Sequence, residues 1–196
     1  LSGKQRAAFT AQECPMTSEI LIGRDGPVMT ITLNRPNKFN ALTFGMYAAI
    51  GEACANVPDD VRAVIVTGAG QKAFAAGTDI SQFRAFKTPE DGIAYEHKLD
   101  EILTVVERCP VPTIAAIAGA CTGGGAAIAA CCDMRIGTRD MRYGYPIART
   151  LGNCLSAKSL QRLAGLVGAA RVKDMLFTSR LLSADECMTA GLVTEL

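Results

Sequence analysis

The residues of this chain best suited to chemistry are three consecutive glycines, Gly123, Gly124 and Gly125, set in a run from Cys109 to Cys132 that carries no charged side chain. The run reads as a buried strand over residues 113–117, a turn, and a helix built from small side chains. A helix that begins inside the triplet leaves its first amides without an intrahelical acceptor, at the positive end of the helix dipole. Without Cβ atoms a ligand can approach that backbone closely, and the donors could meet an oxygen that becomes negative during a reaction. Tight helix packing is the other use of such a triplet. A phosphate-binding loop would need Gly-Lys-Ser/Thr, whereas Gly125 is followed by Ala126 and Ala127. A dinucleotide fingerprint spaces its glycines through the turn and needs an acidic residue after the next strand, so adjacent glycines do not match it. The run is long enough to cross a bilayer, but its two prolines, its glycine cluster and its Ala in place of Leu argue against a membrane span.

The other reactive side chains are sparse. Eight cysteines (Cys14, Cys54, Cys109, Cys121, Cys131, Cys132, Cys154 and Cys187) include no Cys-x-x-Cys pair, and His97 is the single histidine, so no metal site is expected. Most of these cysteines sit in apolar, Ala-rich surroundings, which points to reduced thiols and a cytoplasmic protein. With 20 Lys+Arg against 19 Asp+Glu, no basic face stands out and nucleic acid is not an expected partner. The absence of Trp and the 6% aromatic content also leave few platforms for stacking bases.

The 196 residues, 49% hydrophobic, suit one domain able to bury about 70% of its unfolded surface. Residues 1–15 are mixed and polar, without the apolar stretch of a signal peptide, and read as a flexible extension ahead of a domain over residues 16–196. Within that domain, residues 20–22 and 28–33 suggest a hairpin around an Asp25-Gly26 turn. Thr43 can cap a helix running to about Asn56, with Met46, Ile50 and Cys54 on one face. Residues 63–67 form a β-branched strand of the kind parallel sheets prefer. A helix over residues 91–108 places Ile93, His97, Leu99, Ile102, Leu103 and Val106 at helical spacing and stops before Pro110. Residues 133–137 and 142–145 add strands, two or three helices fall between 155 and 190, and residues 191–195 suggest an edge strand. The class is α/β with repeated β-β-α turns.

Two stretches resemble a known family. Phe74-Ala75-Ala76-Gly77-Thr78-Asp79-Ile80 after a Val-rich strand, then Pro112-Thr113-Ile114-Ala115-Ala116-Ile117-Ala118-Gly119 leading through the triplet to Cys132-Asp133, are similar in order and spacing to the crotonase superfamily of enoyl-CoA hydratases and isomerases. Leu33-Asn34-Arg35-Pro36, Asn40-Ala41-Leu42, Leu182-Ser183-Ala184 and Gly191-Leu192-Val193 extend the similarity over nearly everything after Ser18. The resemblance implies a crotonase-like superhelix of β-β-α units and a trimer or a hexamer of two trimers. It also implies an acyl-CoA thioester as substrate, with coenzyme A part of that substrate and no bound cofactor. It places an oxyanion hole on the backbone amides of Thr78 and Gly124. The adenine end of coenzyme A would meet the backbone around Ala75, Ala76 and Ile80, and Arg35, Lys38 and Lys72 are candidate phosphate partners, although each could equally be a solvated charge. The family's C-terminal helices, which cover the site and build the trimer, are not expected within this sequence, which ends at Leu196 where relatives continue into them.

The sequence departs from the family at two positions. Hydratases carry one catalytic glutamate two residues after the triplet, where this chain has Ala127. They carry the other just after a proline, where it has Ile147-Ala148. Neither can transfer a proton, so ordinary hydration is not expected. Candidate substitutes are His97, Tyr143, Tyr145, Arg149 and Cys154. The spacing puts His97 on the apolar face of its helix, where a packed histidine is the simpler reading, and core aromatics with backbone partners are likewise the simpler reading of the tyrosines. Arg149 could hold a substrate carboxylate. The alternatives are therefore a decarboxylase or thioesterase on a carboxyacyl-CoA, or a non-catalytic acyl-CoA-binding protein.

Overall fold

The computed structural model describes residues 19–196. The extension expected over residues 1–15 and Cys14 lie outside them. The chain opens on β1 (Ile20–Asp25) and β2 (Val28–Leu33), paired antiparallel with Asp25 opposite Val28. The turn is therefore Gly26-Pro27, one residue later than expected, and Gly26 takes a φ of 53° that its missing Cβ permits. Helix α1 (Phe44–Ala55) starts where Thr43 can accept a hydrogen bond from the Met46 amide, at 3.2 Å, and buries Met46, Tyr47, Ile50 and Cys54.

Three β-β pairs follow: β3 (Ala63–Gly68) with β4 (Ala73–Ala75), β5 (Thr113–Ile117) with β6 (Ala120–Thr122), and β7 (Met134–Gly137) with β8 (Arg142–Gly144). Each pair turns a corner and gives one strand to each of two sheets. The first sheet runs β1-β2-β3-β5-β7 and is parallel from β2 onward. The second runs β4-β6-β8-β9, with β9 (Leu182–Ser183) closing its edge antiparallel. Helix α2 (Pro89–Glu107) follows a 3-10 helix at Ile80–Ala85, and α3 (Gly124–Cys131) follows β6. Helices α4 (Ile147–Leu151), α5 (Ala157–Val167), α6 (Ala169–Thr178) and α7 (Ala184–Thr189) complete the described residues. The repeated β-β-α turns expected from the sequence are thus present. The edge strand expected over residues 191–195 is reduced to a single bridge between Ile136 and Glu195, although Leu192 and Val193 are buried.

Helix α3 lies at the centre. Every residue from Gly125 to Cys131 is buried, as a helix that is apolar all round requires. At its C-terminal end the buried Arg135 donates to the carbonyls of Cys132 (2.6 Å) and Ala129 (3.3 Å), and it reaches across to Leu192 O at 2.7 Å. Asp133 accepts from both the amide and the hydroxyl of Thr113, each at 2.8 Å, and so fixes the end of α3 against the start of β5. No helix among the described residues is long and apolar enough to cross a membrane.

Candidate active site

Thr78 and Gly124 come from different turns of the fold and meet. Beyond β4, Leu42 and Thr78 form a parallel bridge in which the Leu42 amide donates to Gly77 O and the Asp79 amide to Leu42 O, both at 2.8 Å. That pattern occupies the groups flanking Thr78 and leaves its own amide facing the other way. Beyond β6, Gly123 adopts φ 51° and ψ −118°, and its carbonyl accepts the Ala127 amide at 2.9 Å. The amides of Gly124, Gly125 and Ala126 therefore precede the first intrahelical bond of α3. The two turns nest: a Cβ on Gly123 would lie 3.4 Å from the Gly77 Cα, and one on Gly124 would lie 2.9 Å from Thr78 Oγ1. A Cβ on Gly124 would also clash with the Tyr47 hydroxyl, and one on Gly125 with the Ala75 carbonyl, so the triplet is both a close-packing device and an accessible helix start.

An apolar pocket of about 240 Å³ opens beside this point, lined by Phe44, Tyr47, Phe86, Tyr95, Leu99 and Ile102 among others. The rings of Phe44, Phe83 and Phe86 surround Tyr95, with centroids 5.0 to 6.1 Å from it. Hydroxyls converge where the pocket reaches the turns: Tyr47 Oη is 2.8 Å from Thr78 Oγ1, which is 3.3 Å from Tyr95 Oη. Burial pushes the Tyr47 hydroxyl well above its ordinary pKa, and burial raises Tyr95 as well. Sequence reasoning missed both tyrosines. Tyr47 shares the buried face of α1 and reads as core, and only the tertiary approach of Gly124 exposes its polar end to the site.

The other expected site residues fall as follows. Ala127 is 8% exposed on α3, and Ile147 is half-buried at the start of α4. Ala75 is buried, the Ala76 amide donates to Phe39 O at 2.9 Å, and Ile80 is 61% exposed. Lys38 and Lys72 are exposed. Arg35, by contrast, is already engaged: its guanidinium pairs with Glu19 and Asp79, each at 2.9 Å, and donates to Ala41 O. It braces the loop before α1, so two carboxylates occupy the place a phosphate was expected to take. His97 is exposed, and Ile93 on the same side of α2 is 57% exposed, which corrects their placement on an apolar face. Arg149 and Cys154 are exposed. Tyr143 and Tyr145 are fully buried, with Tyr143 donating to Ala126 O at 2.9 Å, the backbone partner a core tyrosine needs. No cluster of three or more potential metal ligands occurs among the described residues.

The family model for enoyl-CoA hydratase/isomerase matches residues 23–196. A short-chain-enoyl-CoA hydratase of Clostridium acetobutylicum is 35% identical over 91% of this chain and 68% of its own length. A mitochondrial Delta(3,5)-Delta(2,4)-dienoyl-CoA isomerase of Rattus norvegicus is 34% identical over 85% of this chain and 54% of its own. Among solved structures, an enoyl-CoA hydratase/carnithine racemase from Magnetospirillum magneticum superposes with a TM-score of 0.86 at 35% identity, covering 91% of this chain and 68% of that one.

Proposed function

The chain belongs to the enoyl-CoA hydratase/isomerase family of the crotonase superfamily, whose enzymes process acyl-CoA thioesters, and on that footing we propose that it grips a thioester oxygen between the Thr78 and Gly124 amides. The acyl group enters the pocket between α1 and α2, and charge that develops on the oxygen as an enolate forms is met by donors already in place. The observation that carries this reading is the meeting of the two amide-bearing turns, where the Thr78 side chain lies against the Cα of Gly124 at the start of a buried helix. Coenzyme A arrives as part of the substrate. Its nucleotide lies along the exposed backbone near Ala76 and Ile80, with Lys38 and Lys72, rather than Arg35, left to meet phosphate. Ala127 and Ile147 supply no acid or base, so the chemistry favoured is enolate stabilisation without the paired proton transfers of hydration.

Calorimetry with acetyl-CoA and longer acyl-CoA esters is expected to show saturable binding. Gly124→Ala, which adds a Cβ against the Tyr47 hydroxyl but keeps the amide, is the control, whereas Gly124→Pro also deletes one of the two amides. With the fold intact by circular dichroism, that variant is expected to lose turnover or affinity for enolate analogues on the order of 10²-fold. An unchanged response would remove Gly124 from the site.

A further inference from the structure

Behind the two amides stands a line of three hydroxyls, Tyr47, Thr78 and Tyr95, at 2.8 and 3.3 Å. We propose that the Tyr47 hydroxyl is a third hydrogen-bond donor to the thioester oxygen, with the Thr78 and Tyr95 hydroxyls as positioning groups. The inference rests on the acyl-CoA reading and adds to it a side chain on α1, an element outside both amide-bearing turns.

The geometry puts the phenol within reach. Its oxygen occupies the space a Cβ on Gly124 would fill, so it touches the Gly124 Cα and lies within about 5 Å of that residue's amide nitrogen. One oxygen hydrogen-bonded at about 2.9 Å to an amide and about 2.7 Å to a hydroxyl spans donors that far apart. The count of hydrogens agrees. Three hydroxyls joined by two hydrogen bonds use two hydrogens and leave one over, for which Tyr95, which also interacts directly with Tyr47, competes with a ligand. An oxygen gathering negative charge beside Gly124 favours the arrangement in which Tyr95 donates to Thr78, Thr78 donates to Tyr47, and the spare hydrogen points from Tyr47 at the ligand. Tyr47 is 2% exposed and packed in the core, so its ring is held in place before substrate arrives. Its remaining ionisable neighbours are Tyr95 and Tyr145, and burial keeps the phenol protonated, which makes it a donor and rules it out as a base at neutral pH. Packing alone does not call for the oxygen, since Phe44, Phe86, Leu99 and Ile102 line the same pocket with hydrocarbon.

The test uses cinnamoyl-CoA, a conjugated thioester whose absorption moves to longer wavelength when its carbonyl is polarised, so the readout does not depend on which reaction is catalysed. The unmodified protein is expected to bind it with a red shift. Tyr47→Phe keeps the ring and should bind with little change in affinity but a clearly smaller shift. For any ester that is turned over, kcat should fall on the order of 10²-fold with KM nearly constant. Thr78→Val, which keeps the backbone amide but breaks the line of hydroxyls, should give an intermediate shift and serves if Tyr47→Phe does not fold. A Tyr47→Phe shift equal to that of the unmodified protein, while Gly124→Pro loses it, would overturn the third donor and leave the two amides standing. If the unmodified protein binds without a shift, or not at all, the acyl-CoA reading of the site falls and this inference with it.

Discussion

A carboxylate introduced at Ala127 would enter a position 8% exposed on a helix buried on every side. Ionising it there is costly, and Ile147 would still leave the second proton transfer without a partner. Crotonyl-CoA hydration by the unmodified protein is therefore expected to be very weak, since each general acid or base typically contributes 10²- to 10⁴-fold. Ala127→Glu alone should not restore it. Steady-state kinetics showing kcat of about 10 s⁻¹ or more for the unmodified chain would mean that another side chain transfers the protons. At this scale the sequence was informative about backbone and poor about side chains. Three adjacent glycines before an apolar run suggested a helix start with free amides, beside the alternative of close packing, and the structure has both. Whether Arg35 faces a phosphate or two carboxylates depends on Glu19 and Asp79 folding back to it, which no local pattern records.

Helix α3 has contrasting ends, with amides from Gly124 onward that precede its first intrahelical bond and a buried guanidinium at Arg135. Arg135→Met keeps most of the volume but strands the carbonyls of Cys132, Ala129 and Leu192, with a cost of roughly 2–4 kcal/mol from unsatisfied buried acceptors. Urea denaturation should show a lower midpoint; a midpoint within error of the unmodified protein would show that water reaches those carbonyls. Other elements differed in how far the sequence revealed them. Thr43 marked the start of α1 because an N-cap hydroxyl acts over three residues. In α2 the spacing misled: at 100° per residue, Tyr95, Leu99, Ile102 and Val106 share one stripe while Ile93 and His97 fall roughly 160–200° away from Tyr95. The short strand β6 was read as a turn because three residues carry too little periodicity to announce themselves.

The core as a whole holds thiols where water does not reach. Burial pushes Cys131 and Cys187 up to about 12 from an ordinary 9.0, and raises Cys54 and Cys121 as well. A thiol with a raised folded pKa holds more protons folded than unfolded between those two values. Its stabilising effect is complete below about pH 9 and declines as pH rises toward 12, by about 1.4 kcal/mol per pH unit for each thiol. Urea midpoints should hold steady near neutrality and drop steeply above about pH 9; a flat profile to about pH 11 would contradict this burial. The order of the longer strands and helices was legible because each of them carries its own period. The partition of each pair between two sheets was not, since it depends on corners such as the turn between β5 and β6. That partition sets three positions in matching places: Thr78 just past β4, Gly124 just past β6 and Ile147 just past β8. On the proposed reading the first two act through a peptide amide, although Gly124 must stay glycine because a Cβ there meets the Tyr47 hydroxyl, and the third acts only through its side chain. On that reading a lineage built on this scaffold could discard or regain its acids and bases through single codon changes while keeping the proposed grip on the substrate, and descendants with unlike reactions would remain recognisable kin.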